Sequence, residues 1–216
     1  MKAPSIFLSF LLLLTPAATR AASCCEAPPA AAAAEQASCC AVAPAATPTA
    51  ELPDTSIYHF DAEFIDDTGA PRRLAEFAGR PVVLTMFFAS CGYACPMLAH
   101  DMRKVQETLP PAVRDQVKFI MVSFDPVRDT VGKLQAFRAQ AGADDRWTLM
   151  RGADGDVRTL AMLLGVQFRK EPSGDFSHSN LITVLDAGGA IAHRREGLQG
   201  GLLGVSEALV RLATVE

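Results

Sequence analysis

The run Pro81–Ser90 (PVVLTMFFAS) constrains the fold more than any other part of the sequence, because it is continuously apolar. A strand of this kind is buried on both faces and lies at the centre of a sheet covered by helices. Cys91 and Cys95 follow it directly, and apolar residues then recur at helical spacing. We therefore expect a central strand, a loop that carries two thiols, and a helix from about Cys95 to Thr108.

Strands and helices alternate along the rest of the chain. A half-buried strand through Tyr58–Phe64 and a turn at Asp66–Gly69 come before the central strand. This order predicts an α/β domain in which helices flank a mixed central sheet, as in a thioredoxin-like fold with an added N-terminal strand or hairpin. The remaining predicted elements are strands at Val117–Phe124, Trp147–Met150, Asn180–Asp186 and Ile191–His193, and helices around Val131–Phe137, Val157–Leu164 and Leu203–Leu212.

The first part of the chain has the composition of a targeting segment followed by a linker. Residues 1–23 combine Lys2 with a short apolar run and small residues, which is typical of a secretory signal peptide. Residues 24–55 are rich in Ala and Pro and predict a disordered tail, so residues 56–216 should form the folded domain. We expect export to the bacterial periplasm. Two outcomes stay open at Cys24, ordinary signal cleavage or attachment of a lipid, and only the lipid would anchor the protein to a membrane.

Four of the six cysteines lie in this tail, as the pairs Cys24/Cys25 and Cys39/Cys40. Structural disulfides are the first expectation for an exported protein. A tail has no core to cross-link, however, and neighbouring cysteines bridge each other only with strain. Two explanations of these four thiols stay open: accessory binding of a soft metal, or a lipid anchor with spare thiols.

The formal net charge of −4 argues against functions that depend on bulk positive charge. We therefore expect no binding of nucleic acid and no attachment to an anionic membrane surface through charge. The sequence also lacks an obvious apolar surface stripe, so the expected state is a monomer.

Cys91 and Cys95 would close only a tiny loop if they joined, so a disulfide between them would constrain the unfolded chain little. A chemical role, in redox exchange or metal binding, explains the pair better than a structural disulfide does. The predicted helix begins beside them, and its unpaired N–H groups and dipole stabilise a thiolate. The four-residue spacing brings both sulfurs to one side of a helical turn. Such a pair either forms a redox disulfide or binds a soft cation such as Cu(I) or Zn(II), and an imidazole would extend the choice to Cu(II).

The four histidines differ in their sequence context. His59, on the polar side of a predicted strand, and His100, turned away from the sulfurs around the helix, are expected on the surface. His193 is also expected in solvent, because two arginines follow it in a hairpin. His178 lies in a polar segment just before a core strand, where it could reach across a sheet edge. On spacing alone, a ligand role for His178 stays open.

Three separate motifs carry a resemblance to a known family. The motifs are Phe88–Pro96 (FASCGYACP), Val122–Thr130 (VSFDPVRDT) and Asp175–Ser179 (DFSHS), the last followed by the strand Leu181–Asp186. In this order they resemble the copper loop, the S-x-D-P-x-R-D-T element and the D-H-S/T segment of the Sco/SenC proteins. Those proteins are copper-binding, thioredoxin-like factors that assist assembly of the copper centre of respiratory cytochrome oxidase. The resemblance extends from about Tyr58 to Glu216.

The resemblance implies that Cys91, Cys95 and His178 bind one copper ion, as Cu(I) or Cu(II). It also implies a cuproprotein client, such as a cytochrome oxidase copper subunit. A thioredoxin-like reductant is the second partner considered. Gly92 and Tyr93 stand where the family usually has Pro and an acidic residue, which leaves the ligand positions intact. The leading hypothesis is therefore a copper metallochaperone.

The alternative is a periplasmic thiol–disulfide oxidoreductase that acts through a Cys91–Cys95 disulfide and does not need His178. A peroxidase of the same fold is disfavoured, because the sequence shows no motif for a peroxide pocket. In the second motif, Asp125 is expected to order the turn, and Asp129 or Thr130 to cap the helix that follows. The alternative is that Asp125 and Asp129 steer copper or form hydrogen bonds to the loop.

Overall fold

The computed structural model describes residues 52–214. The predicted signal peptide and the four tail cysteines lie outside the described residues, so what the sequence indicates about them stays a prediction. Within residues 52–214, no helix combines the length and the apolarity that a membrane crossing requires.

Nine strands and five helices alternate along the described residues. The strands are β1 (Phe64–Asp66), β2 (Pro71–Arg72), β3 (Val82–Phe87), β4 (Lys118–Ser123), β5 (Trp147–Arg151), β6 (Phe168–Lys170), β7 (Phe176–His178), β8 (Leu181–Leu185) and β9 (Ile191–Glu196). The helices are α1 (Ala94–Thr108), α2 (Pro111–Arg114), α3 (Val131–Ala141), α4 (Asp154–Leu164) and α5 (Leu202–Ala213). Seven strands form one mixed sheet in the order β2-β1-β5-β4-β3-β8-β9, and β6 pairs with β7 in a small separate sheet.

The apolar run that dominates the sequence is the central strand β3, as predicted, and all six of its residues are buried. It pairs with β4 in parallel and with β8 antiparallel. Phe87 lies opposite Ser123, so β3 and β4 end at the same edge of the sheet. The loops that follow these two strands are therefore neighbours, which brings the cysteine motif next to the second motif.

Capping residues set the helix ends where the sequence indicates them. Thr130 is the N-cap of α3, and its Oγ1 accepts a hydrogen bond from the backbone N–H of Lys133 at 3.4 Å. Gly142 and Gly165 end α3 and α4 in the left-handed conformation, with φ of 64° and 78°. Glycine suits these positions because a side chain would be strained there.

The first strand begins later than predicted. Ile57–His59 form a 3-10 turn instead, because the Ser56 hydroxyl accepts the N–H of Tyr58 at 3.1 Å and the Gly189 carbonyl accepts that of Ile57 at 3.0 Å. Residues 60–64 alternate between less and more exposed side chains because the chain is extended there. Sheet pairing begins only with β1, which pairs with β2 and β5. The added N-terminal hairpin is thus present as β1–β2, but its bounds were wrong.

The segment before the last core strand is a hairpin rather than an irregular polar loop. β6 and β7 pair antiparallel, with Phe168 opposite His178. The Glu171 N–H bonds to the Asp175 carbonyl at 2.8 Å, and Gly174 takes a φ of 89° at the turn. A turn sequence, EPSGD, flanked by two short segments that each carry a phenylalanine was the available signal.

The expectation that His193 lies in solvent beside two solvated arginines was also wrong in part. Arg195, two residues further along β9, is only 4% exposed and pairs with the buried Asp101 of α1. Its guanidinium also donates to the carbonyls of Gly197 and Gly200. A buried arginine needs such partners, and a lone sequence cannot show that they are available.

Candidate metal centre

Cys91 and Cys95 lie where the chain leaves β3 and enters α1. Cys95 is fully buried in the first turn of the helix, and Cys91 is partly exposed in the loop before it. The Phe88 N–H donates to the Cys95 sulfur at 3.4 Å, and the Cys95 N–H donates to the Cys91 sulfur at 3.4 Å. Both sulfurs are therefore oriented by backbone donors and not by their rotamers alone.

The two thiols have opposite acidities. A hydrogen bond from the Cys95 side chain, supported by the N–H groups of Cys95 and Tyr93, lowers the pKa of Cys91 to about 4 although burial opposes the shift. The same hydrogen bond and burial raise the pKa of Cys95 above its ordinary value. One proton is thus held on the buried sulfur, and the accessible sulfur of Cys91 is a thiolate at neutral pH.

His178 reaches the sulfurs from the end of β7. Its Nε2 lies 4.0 Å from the Cys95 sulfur, and its Nδ1 lies 3.1 Å from the carbonyl oxygen of Ser179. With the proton on Nδ1 and donated to that carbonyl, Nε2 keeps a free lone pair directed at the cysteines. Bonds between Ser179 and Gln167 hold the base of the hairpin, at 2.8 Å and 3.0 Å.

The ligand atoms of Cys91, Cys95 and His178 all lie within 4.8 Å of one another. Sulfur and nitrogen ligands lie about 2.0–2.3 Å from an ion such as zinc, so ligands around a common ion are roughly 4 Å apart. The three side chains fit such a site with small adjustments. Two sulfurs and one imidazole are a donor set for copper or zinc, not for magnesium or calcium.

Aromatic rings surround His178, and sequence reasoning missed most of them. The ring of Phe124 lies 5.0 Å from the imidazole, and that of Phe88 lies 5.9 Å from it at a right angle. Phe168 stacks on Phe124 at 5.0 Å, and Phe176 packs against Phe124 at 5.2 Å. These rings exclude water from one side of the imidazole and hold the hairpin against the domain.

The second motif, Val122–Thr130, supports the cysteine loop through hydrogen bonds on its buried side. Asp129 is fully buried and accepts hydrogen bonds from the Ala89 N–H at 2.8 Å and the Ser123 hydroxyl at 2.5 Å. Of the two capping residues expected, Thr130 caps α3 and Asp129 does not. The Asp129 carboxylate instead accepts a hydrogen bond from the cysteine loop, which was the alternative role. Asp125 orders the turn as expected, through the N–H of Arg128 at 3.4 Å.

The other histidines do not join this cluster within the described part of the chain. His59 and His100 are exposed, with ring nitrogens near the Pro53 carbonyl and the Arg103 side chain. His193 is half-buried rather than solvated, and its ring lies against Gly204 of α5. Of the histidines considered from sequence, the structure brings His178 to the cysteines.

Comparisons with known proteins agree with this geometry. The SCO1/SenC family model matches residues 51–200. A curated protein of Stutzerimonas stutzeri named "Putative copper-binding protein" is 26% identical over 133 residues, which make up 60% of this chain and 64% of that protein. Among solved structures, a protein of Aquifex aeolicus VF5 with a provisional electron transfer assignment gives a TM-score of 0.66 at 26% identity, covering 75% of this chain and 95% of that one.

A second solved structure is ScoI of Bradyrhizobium japonicum with copper bound. It gives a TM-score of 0.59 at 20% identity, covering 70% of this chain and 96% of that one. The predicted thioredoxin-like fold is thus confirmed by these neighbours. The matched range contains both cysteines, His178 and the aspartates behind them, and it covers well over half of the sequence. The chain belongs to the SCO1/SenC family.

Proposed function

We propose that this chain is a copper metallochaperone that holds one copper ion between Cys91, Cys95 and His178. The observation that carries the proposal is the convergence of these three ligand atoms from two distant segments. Thiolates favour Cu(I), and the added imidazole suits Cu(II). Two thiolates and a neutral imidazole give a net charge of −1 with Cu(I) and zero with Cu(II), so either valence is tolerated at a site of modest polarity.

The surroundings of the ligands suit a cargo that must leave again. Cys91 and His178 are partly exposed, whereas Cys95 is buried. An incoming ligand from a client protein can approach the ion on the exposed side, past Cys91 and His178. Cys95 meanwhile holds the ion on the buried side. We propose a cuproprotein client, such as a cytochrome oxidase copper subunit, as the recipient.

Loading the site requires one deprotonation. Cys91 is already a thiolate at neutral pH, because its pKa is about 4. Cys95 keeps its proton until the ion arrives, since metal ions bind the thiolate and release the proton. The Ser179 carbonyl can accept the Nδ1 proton of His178, which leaves the lone pair of Nε2 for the ion.

A thiol–disulfide oxidoreductase is the second candidate, and the same acidities favour it. Cys91 is a partly exposed thiolate able to attack a client disulfide, which would form a mixed disulfide and release one client thiolate. Cys95, after losing its proton, would then attack the Cys91 sulfur, release the second client thiolate and leave a Cys91–Cys95 disulfide. A thioredoxin-like protein would have to reduce that disulfide. His178 has no necessary part in this cycle.

Export and anchoring belong to the proposal as sequence-based elements. Residues 1–23 would direct the chain to the periplasm, and Cys24 would carry a lipid if the signal is of the lipoprotein type. The folded part would begin at about residue 56. The remaining tail cysteines would then be accessory ligands or spare thiols.

Copper titration separates the two candidates. The protein for this test is the chain with Cys24, Cys25, Cys39 and Cys40 replaced by serine, called here the tail-serine chain, so that only two thiols remain. Reduced and titrated, it should bind one copper ion per chain, and the Cu(II) complex should show a sulfur-to-copper charge-transfer band.

His178→Ala should weaken Cu(II) binding by at least about tenfold, because one of three ligands is lost. His100→Ala is the matched control and should bind as the parent does. If His178→Ala binds both valences like the parent while reducing a protein disulfide strongly, the oxidoreductase replaces the metallochaperone. Transfer is tested by mixing the loaded chain with a metal-free copper domain of a cytochrome oxidase subunit, and retention of copper by the donor would contradict the proposed client.

A further inference from the structure

Arg128 lies in the loop between β4 and α3, next to the two segments that carry the metal ligands. Its Nε forms an ion pair with Oδ2 of Asp125, whose side chain is only 2% exposed. The backbone N–H of Arg128 donates to Oδ1 of the same carboxylate at 3.4 Å. The Asp125 carboxylate therefore holds Arg128 both at its backbone and at its guanidinium.

The fixed guanidinium lies over two aromatic rings that belong to different ligand segments. Its central carbon is 5.6 Å from the centroid of Phe176 and 6.0 Å from that of Phe88. Phe88 comes three residues before Cys91, and Phe176 comes two residues before His178. Guanidinium groups at this distance are attracted to the face of an aromatic ring.

Two further features connect the guanidinium to the rings, although 35% of the Arg128 side chain is exposed. The Nη2 of Arg128 is buried and has no hydrogen-bond partner among the described residues. Phe88 and Phe176 also touch each other, with centroids 5.3 Å apart, and Phe88 meets the imidazole of His178 edge-on at 5.9 Å. A continuous series of contacts thus runs from Asp125 through Arg128 and the rings to the imidazole of His178.

The hairpin needs such contacts, because the main sheet does not include it. β6 and β7 form backbone ladders only with each other among the described strands. The position of His178 relative to the cysteines therefore depends largely on side-chain packing. The cysteines, in contrast, sit at the junction of a central strand and a helix.

We infer that Arg128 is a positioning residue of the metal centre, which clamps the hairpin carrying His178 against the strand end carrying the cysteines. The inference rests on the proposed function, because it assigns Arg128 a role in presenting the third copper ligand. Arg128 touches neither copper nor a ligand atom in this role. It acts through Phe176 and Phe88.

The test compares Arg128→Gln with Arg158→Gln in the tail-serine chain. Arg158 is a matched control, because it lies 5.4 Å above the ring of Phe168 on the same hairpin but contacts no ring from the cysteine segment. Arg128→Gln should weaken Cu(II) binding about tenfold, which is about 1.4 kcal/mol. Cu(I) binding, which two thiolates dominate, should change by less than about twofold. Arg158→Gln should leave both valences near the parent values.

Two further readouts separate positioning from general stability. In Arg128→Gln combined with His178→Ala, Cu(II) should bind as it does to His178→Ala alone, because the arginine acts only through the imidazole. In the metal-free protein, nuclear Overhauser contacts between the His178 and Phe88 rings should be lost in Arg128→Gln and kept in Arg158→Gln. Arg128→Lys should recover part of the Cu(II) affinity, since it keeps the charge but not the planar group.

Three results would overturn the inference. These are unchanged Cu(II) affinity in Arg128→Gln, an equal loss in Arg158→Gln, or losses that add up in the double variant. Each of them leaves the proposed function standing if His178→Ala still weakens Cu(II) in the parent. If His178→Ala has no effect in the parent, the proposed function itself fails, and the inference fails with it.

Discussion

The candidate metal centre has a cysteine half, Cys91 and Cys95, and a histidine half, His178 on its hairpin. The two halves are held by different kinds of interaction. Backbone donors fix both sulfurs, and Cys95 is buried at the start of a helix in the core. His178 lies on a two-stranded hairpin that is attached through aromatic rings and Arg128. The scaffold therefore fixes the two sulfurs firmly, while the position of the imidazole depends on packing that small changes can alter.

For the proposed metallochaperone, this difference suggests a division of work between binding copper and releasing it. The two thiolates supply most of the affinity for Cu(I), and the imidazole tunes the preference for Cu(II). A ligand held by side-chain packing can withdraw at less cost than one held in the core. Release would then begin on the histidine side.

The largest effects should come from the cysteine half. Cys95→Ser and Cys91→Ser each remove one of two thiolates, and Cu(I) affinity should fall on the order of 1000-fold in either variant. Competition with a chromogenic Cu(I) chelator measures the loss. A serine variant that competes as well as the parent would show that the sulfurs are not the main ligands.

Reaction with iodoacetamide should distinguish the two sulfurs by pH. Because the pKa of Cys91 is about 4, it should be alkylated at pH 6, and the rate should fall only as the pH approaches 4. Cys95, whose pKa is raised and whose sulfur is buried, should react at least about 100-fold more slowly at pH 6. Peptide mapping of the tail-serine chain gives both rates. Equal labelling of the two residues would contradict the assignment of the shared proton to Cys95.

The same contrast explains what the sequence could predict. β3, α1 and the two sulfurs follow from an apolar run and a four-residue spacing, which are local patterns. The hairpin consists of two three-residue strands, Phe168–Lys170 and Phe176–His178, and it is too short for a periodic signal. His178 was found through its motif, while the rings around it depend on contacts between segments distant in sequence.

Asp129 shows, in a single residue, what the sequence alone could not predict. From the sequence, an aspartate before a helix is a capping candidate, and the adjacent Thr130 is an equally good one. The choice depends on whether Ser123 and the Ala89 N–H offer Asp129 a buried alternative. Only the parallel pairing of β3 with β4 brings those donors together.

Asp129→Ala should reduce stability by about 2–3 kcal/mol, because a buried donor, the Ser123 hydroxyl, and a partly buried one, the Ala89 N–H, lose their acceptor. Urea unfolding measures this change, and Asp145→Ala, at an exposed aspartate, should alter stability by less than about 0.5 kcal/mol. A loss in Asp129→Ala as small as in this control would show that the cysteine loop does not depend on the carboxylate.

Asp129→Asn adds a pH test. Burial raises the pKa of Asp129. The folded state therefore binds this proton more tightly than the unfolded state does, and ionisation of Asp129 costs stability as the pH rises through its folded pKa. Asparagine does not ionise, so the stability of Asp129→Asn relative to the parent should be better at pH 7 than near pH 4. A difference that stays constant with pH, or moves the other way, would contradict the assigned direction.

The smallest effect should come from the histidine half. Phe176→Leu keeps an apolar side chain on β7 but removes the ring that lies under Arg128 and beside Phe124. Aromatic pairs and cation–π contacts are each worth roughly 0.5–1.5 kcal/mol, so Cu(II) affinity should fall only about threefold to tenfold. Cu(I) affinity should stay within about twofold, because the thiolates are untouched. Equal losses for both valences would mean that the ring supports the cysteines as well, and the two halves would then form one unit.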